Sequence, residues 1–172
     1  YDAASLTKVV ATTPAVLLLH ERRKLNIEDP VRKHLPEFTG QGRESITIRQ
    51  LLTHTSGLRP DISVNGWTGH QECIAKCVVE VPRAAPDERF IYSDINFQLL
   101  DEIVRRVSGK RLDVFCAEEI FGPLKMHDTG YNPPITKHAR IAPTTVTDGK
   151  ALRGVAHDPR ARKTSRIAGH PG

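Results

Sequence analysis

Between Val9 and Leu19 the chain is apolar at nearly every position, with Val9-Val10-Ala11 and Ala15-Val16-Leu17-Leu18-Leu19 flanking Thr12-Thr13-Pro14. That pattern predicts a core helix buried on most of its faces, not a surface helix with one apolar stripe. Pro14 lacks the N–H for the bond to the carbonyl four residues back, so the helix should be kinked or distorted there. Asp29-Pro30 reads as an N-cap and first-turn pair opening a short helix over 31–35 that stops at Pro36. Thr47 caps a helix over 48–52, which ends in Thr53-His54-Thr55-Ser56-Gly57 with Ser-Gly as a turn. From Arg59 to Gly69 no period holds, which predicts a loop with Trp67 as its anchor, and a helix over 70–79 follows, closed by Pro82. Ser93 caps a helix whose apolar face is Ile95, Leu99, Leu100, Ile103, Val104 and Val107, and Ser108-Gly109 ends it. A further helix over 112–121 is stopped by Gly122-Pro123, and beyond Met126 the periodicity fades to one candidate strand over 141–146.

Length and charge narrow the classes. The 172 residues suit one domain with a real core. The net charge of +5 comes mostly from cations interleaved with acids, as in Asp101-Glu102-Ile103-Val104-Arg105-Arg106, the pattern of solvated helix faces. Only Arg160-Ala161-Arg162-Lys163-Thr164-Ser165-Arg166 is a basic cluster, and it has no interleaved aromatic for base stacking, which argues against a nucleic-acid partner. Cys73, Cys77 and Cys116 form neither a CxxC pair nor an even set, which suggests neither a disulfide framework nor a zinc site, and Cys73 and Cys77, four apart on an expected helix, read as small buried apolar residues. The apolar run is too short to span a membrane, and a chain that begins at Tyr1 is expected to be a piece of a longer protein.

Chemistry concentrates in two places. Ser5 and Lys8 are three residues apart at a helix start, on one face, so the amine can touch the hydroxyl. A serine becomes a nucleophile when a base holds its proton, a desolvated lysine can serve, and the N–H groups of a helix start can face a developing oxyanion. Tyr92 stands on the tight connection before the Ser93 helix, where the backbone fixes it from both sides, and a phenol beside an ammonium ionises more readily and can relay a proton. His54, at a helix end, reads as an imidazole bonded to backbone and not as a catalytic group.

In this order, Ser5-Leu6-Thr7-Lys8, Leu51-Leu52-Thr53-His54-Thr55-Ser56-Gly57-Leu58 and Phe90-Ile91-Tyr92-Ser93-Asp94 resemble the serine β-lactamase and penicillin-binding-protein superfamily, specifically the class C β-lactamase-related hydrolases and esterases. The resemblance implies an α+β fold, an antiparallel sheet with helices, of which this chain holds mainly the helical portion as a partial domain over 1–172 truncated at both ends. It implies an acyl-enzyme at Ser5 formed from an ester, a D-amino-acid peptide or a β-lactam, with Lys8 and Tyr92 as the catalytic proton-handling pair. It implies no cofactor, no metal, and a small-molecule or peptidoglycan-like substrate. Members are often periplasmic or extracellular; localisation and oligomeric state stay open. The competing reading is a non-catalytic fragment or interaction module that keeps the helical layer but lacks the family's third active-site box.

Three departures from the family pattern carry consequences. Asp94 stands where an asparagine is usual; a carboxylate accepts hydrogen bonds but offers none, so its part in substrate binding should be electrostatic, through Lys8 or another cation. His170-Pro171-Gly172 has the letters of the third box but lies too near the tyrosine, and His170 is not assigned that role. The sheet strands are missing, so the helix beginning at Ser5 should present an apolar face with nothing packed on it.

Overall fold

The computed structural model describes residues 1–147, 149–165 and 167–170, and its first helix is built in three segments. Ala4–Leu6 is a tight 3-10 turn, Lys8–Thr12 a wide π-helical turn, and Thr13–Glu21 a regular helix, α1. The wide turn lies immediately before Pro14, whose missing N–H leaves the Val10 carbonyl without its normal partner, so the predicted distortion is present. Burial departs from the pattern's prediction. Ala11, Thr12, Ala15, Val16 and Leu19 are buried, but Leu6, Val9 and Leu17 are 63%, 61% and 45% exposed, and Val10 is exposed with them. The helix is half core and half open apolar surface, the outcome expected where no sheet covers it.

A 3-10 turn at Val31–Lys33 replaces the helix predicted over 31–35. Asp29 does not cap it. Its carboxylate accepts from the Asn26 N–H (2.9 Å) and from Lys33 Nζ (2.8 Å), closing the preceding turn. Helix α2, Ile48–Leu52, opens with the capping box formed by Thr47 and Gln50. Helix α3, Gly69–Cys77, buries Cys73, Ile74 and Cys77, and all three cysteines are free and buried.

Helix α4, Asp94–Ser108, is the hub, packed by α1 and its wide turn, by α2 and α3, and by α5, Leu112–Cys116. Ile95, Leu99, Leu100, Ile103 and Val104 are wholly buried, as the apolar period predicts, and Gly109 ends the helix at φ +73°. The Ser93 hydroxyl does not cap α4; it donates to the Arg59 carbonyl at 2.7 Å, tying the helix start to the 59–69 loop. A π-helical turn Ala117–Phe121 continues α5.

The strand predicted over 141–146 is instead a short exposed hairpin, β1 Thr145–Thr147 pairing antiparallel with β2 Lys150–Leu152. It is the one sheet among the described residues. Helix α6, Pro159–Lys163, is capped by Asp158. Its cations brace the 59–69 loop: Arg160 Nε reaches Asp61 at 2.8 Å, and Lys163 Nζ donates to the Val64 carbonyl at 2.6 Å. Trp67 is buried beneath Lys163, the anchor predicted for that loop. Among the described residues no helix is long and apolar enough to cross a membrane.

Candidate active site

Ser5 and Lys8 occupy successive turns at the start of the first helix, and Lys8 Nζ donates to Ser5 Oγ at 3.1 Å. Ala4, immediately before the serine, takes the left-handed conformation (φ +49°), rare for a residue with a Cβ, and its N–H donates to Asp2 Oδ1 at 2.8 Å. Asp2 in turn accepts from the His157 N–H at 2.7 Å and meets its Nδ1 at 2.8 Å, so a distant loop holds the entry to the serine.

Lys8 is 3% exposed. Its ammonium lies 2.6 Å from Asp94 Oδ1, 4.7 Å from the centre of the Tyr92 ring and 5.6 Å from that of Phe97. A buried ammonium needs an anion, and Asp94 in the first turn of α4 supplies it. The structure therefore brings Ser5, Lys8, Tyr92 and Asp94 together, with Lys8 at the centre. Asp94 bears on the cluster through the cation, as its chemistry predicts.

His54 belongs to the same cluster, which the sequence did not reveal. Its ring lies 4.4 Å from that of Tyr92 and 5.2 Å from that of Phe97. It does bond backbone, as read from its helix-end position, but the partner is remote: Nδ1 accepts the Ser93 N–H at 3.0 Å. Burial first, and then the Lys8 charge, lower its pKa to about 4 against a weaker pull from Asp94. Only the Leu51–Leu58 stretch as a whole hinted at this. The same stretch is fastened beneath α4, with Ser56 Oγ donating to Asn96 Oδ1 at 2.7 Å and Asn96 Nδ2 to the Leu51 carbonyl at 3.1 Å.

His170 is fully buried, with Nδ1 at 2.6 Å from Gln98 Nε2 and Nε2 at 3.5 Å from Asp158 Oδ1. Burial lowers its pKa. Pro171 and Gly172, the rest of that candidate box, lie outside the described residues. Among the described residues no group of three or more His, Cys, Asp or Glu is placed to hold a metal ion.

Compared with known proteins, residues 1–170 match the family model described as Beta-lactamase. The chain belongs to the beta-lactamase family. An Escherichia coli (strain K12) relative named "Putative D-alanyl-D-alanine carboxypeptidase" is 33% identical over 184 residues, covering 96% of this chain and 42% of that protein. The N-acetylmuramyl-L-alanine amidase of Bacillus subtilis (strain 168) is 31% identical over 147 residues, covering 77% of this chain and 33% of that protein. Among solved structures, a class C beta-lactamase superposes with a TM-score of 0.78 at 19% identity, over 98% of this chain and 45% of that one, a likeness of fold. The chain thus spans less than half the length of these family members, whose α+β fold it shares in its helical part.

Proposed function

We propose that the protein containing this chain is a serine hydrolase that forms an acyl-enzyme at Ser5. The observation that carries the reading is the buried Lys8 ammonium held between Ser5 Oγ (3.1 Å) and Asp94 (2.6 Å), with the Tyr92 ring alongside. Ser5 Oγ attacks the substrate carbonyl as its proton passes to the unprotonated member of the Lys8 and Tyr92 pair, a Tyr92 phenolate beside the Lys8 ammonium or a Lys8 amine beside the Tyr92 phenol, and the pair returns that proton to the departing nitrogen or oxygen as the bond breaks. Water then cleaves the ester to Ser5, releasing the acid and regenerating the hydroxyl. Asp94 keeps Lys8 aimed at Ser5, so its contribution to substrate binding is electrostatic.

The substrate class follows from the relatives' names. The carboxypeptidase, the amidase and a D-stereospecific amidohydrolase from Streptomyces sp., 28% identical with a TM-score of 0.63 over 74% of this chain and 43% of that one, are all named for amide cleavage. The proposed substrate is accordingly a peptidoglycan-like peptide with a D-amino acid at the scissile bond, with simple esters and β-lactams as reactive surrogates.

The test is intact-protein mass spectrometry of the full-length protein after a fluorescent penicillin, a p-nitrophenyl ester or a D-alanyl-D-alanine peptide. An adduct on the Ser5 peptide, absent from Ser5→Ala, is the expected result. A folded wild type with no adduct from any of the three would leave the interaction-module reading in its place.

A further inference from the structure

The two backbone N–H groups flanking Tyr92 both end on one residue. The Ile91 N–H donates to the His54 carbonyl at 2.9 Å, and the Ser93 N–H donates to His54 Nδ1 at 3.0 Å. Tyr92 is the residue between, and the His54 ring lies against its ring at 4.4 Å with a 32° tilt. Phe97 at 5.2 Å and the edge of Phe90 at 5.7 Å close around the imidazole. His54 reaches this position by taking φ +60°, a conformation costly for a side chain of its size.

We propose that His54 is a positioning residue for Tyr92: main chain and imidazole together grip the 91–93 segment from both sides and set the phenol against Lys8. The inference rests on the catalytic reading of Tyr92 given above. It ascribes no proton transfer to the imidazole. Because Nδ1 is the acceptor, the ring is neutral and carries its hydrogen on Nε2. Burial and the nearby Lys8 ammonium keep it so down to about pH 4. An imidazolium here would lose the Ser93 bond and set a second cation beside Lys8.

A purely structural role and a positioning role differ in what they predict. Asparagine is the informative substitution, since its amide oxygen stands where Nδ1 does relative to the main chain and asparagine tolerates positive φ. His54→Asn keeps the grip on Ser93 and loses only the ring; His54→Ala loses both. In the full-length protein, the Ser5 acylation rate constant should fall on the order of 10²-fold in His54→Ala, the size expected from misplacing a reacting group by about an ångström. The half-saturating substrate concentration should change by less than about threefold, since His54 is not assigned a substrate contact. His54→Asn should recover at least about tenfold of the loss. Acylation that falls only in proportion to the folded fraction, or no recovery in His54→Asn, overturns the proposal.

A second readout needs no activity. In the wild-type protein, histidine ¹⁵N spectra should show an unprotonated Nδ1 at His54, and the Ser93 amide should exchange slowly. His54→Ala should lose that protection and His54→Asn keep it. An unprotected Ser93 amide in the folded wild type defeats the grip itself. A protected amide with no Ser5 adduct upholds the grip and defeats the acylation reading instead.

Discussion

Seven residues into α4, Asp101 is 2% exposed, and among the described residues its Oδ2 has no hydrogen-bond partner and the nearest cationic atom, His70 Nδ1, is 3.9 Å away. Burial pushes its pKa up to about 7, with His70 pulling the other way and Glu102 adding to the rise. Its neighbour Glu102 is equally buried but shifts downward, because bonds from His70, Arg105 and Arg106 outweigh desolvation. The sign for Asp101 follows. The folded state binds its proton more tightly than the unfolded chain does, so the associated stability is complete below about pH 4 and is lost as pH rises through about 7. Asp101→Asn should therefore be more stable than wild type at pH 8, on the order of 2 kcal/mol, with the gap closing or reversing at pH 5. Urea unfolding at the two pH values reads the difference, and a gap independent of pH would contradict it. The Ser5 and Lys8 pair was legible because the two lie three positions apart, and Asp94 was expected to seek a cation on its charge alone, whatever the separation. His54 and Asp101 were not, because nothing in their residue type points to their surroundings: the Ser93 N–H that His54 accepts lies 39 residues on, and Gly169 packs against Asp101 from the tail.

Among the elements, local chemistry predicted well wherever no other group competed. The Thr47 cap, the Gly109 stop and the apolar face of α4 stand as read, with Gln50 completing a capping box. Asp29 and Ser93 were read as caps by residue type alone. Each found stronger partners elsewhere: the Lys33 ammonium for Asp29, the Arg59 carbonyl for Ser93. The strand expected over 141–146 is shortened to Thr145–Thr147, and among the described residues β1 and β2 pair only with each other. One close approach decides how the tail seats on α4. A Cβ on Gly169 would stand 2.1 Å from the Phe97 carbonyl oxygen and 2.9 Å from Asp101 Cβ, both set by a buried helix that cannot yield. Gly169→Ala should cost about 2–4 kcal/mol in chemical denaturation. Gly149→Ala, in the exposed hairpin turn at φ +72° with nothing within 4 Å, should cost about 1 kcal/mol, from backbone strain alone. Equal costs at the two sites would refute this packing.

At the scale of the molecule, Leu6, Val9, Val10 and Leu17 form one exposed apolar stripe along the helix that begins at Ser5. Sequence reading called that helix core because composition cannot say which layer of a larger fold is at hand. The family's sheet, missing from the described residues, was the reason to expect an open face. The 172-residue chain by itself should bind a hydrophobic dye such as ANS and sediment as a concentration-dependent oligomer, and Val9→Lys with Leu17→Lys should suppress both without lowering Tm by more than about 2 °C. A monomer that ignores the dye would count against the exposed stripe. The first helix is also fastened to the tail across great sequence distance: Asp2 accepts the His157 N–H, and the Thr12 hydroxyl donates to the Gly169 carbonyl at 2.7 Å, over separations of 155 and 157 residues. On a ribosome this sets an order of events. The segment bearing Ser5, with its apolar side chains unshielded, must wait for nearly 160 further residues to be translated before these two tethers exist. Over that interval, chaperones that bind nascent apolar segments have access to the part of the molecule proposed to do the chemistry.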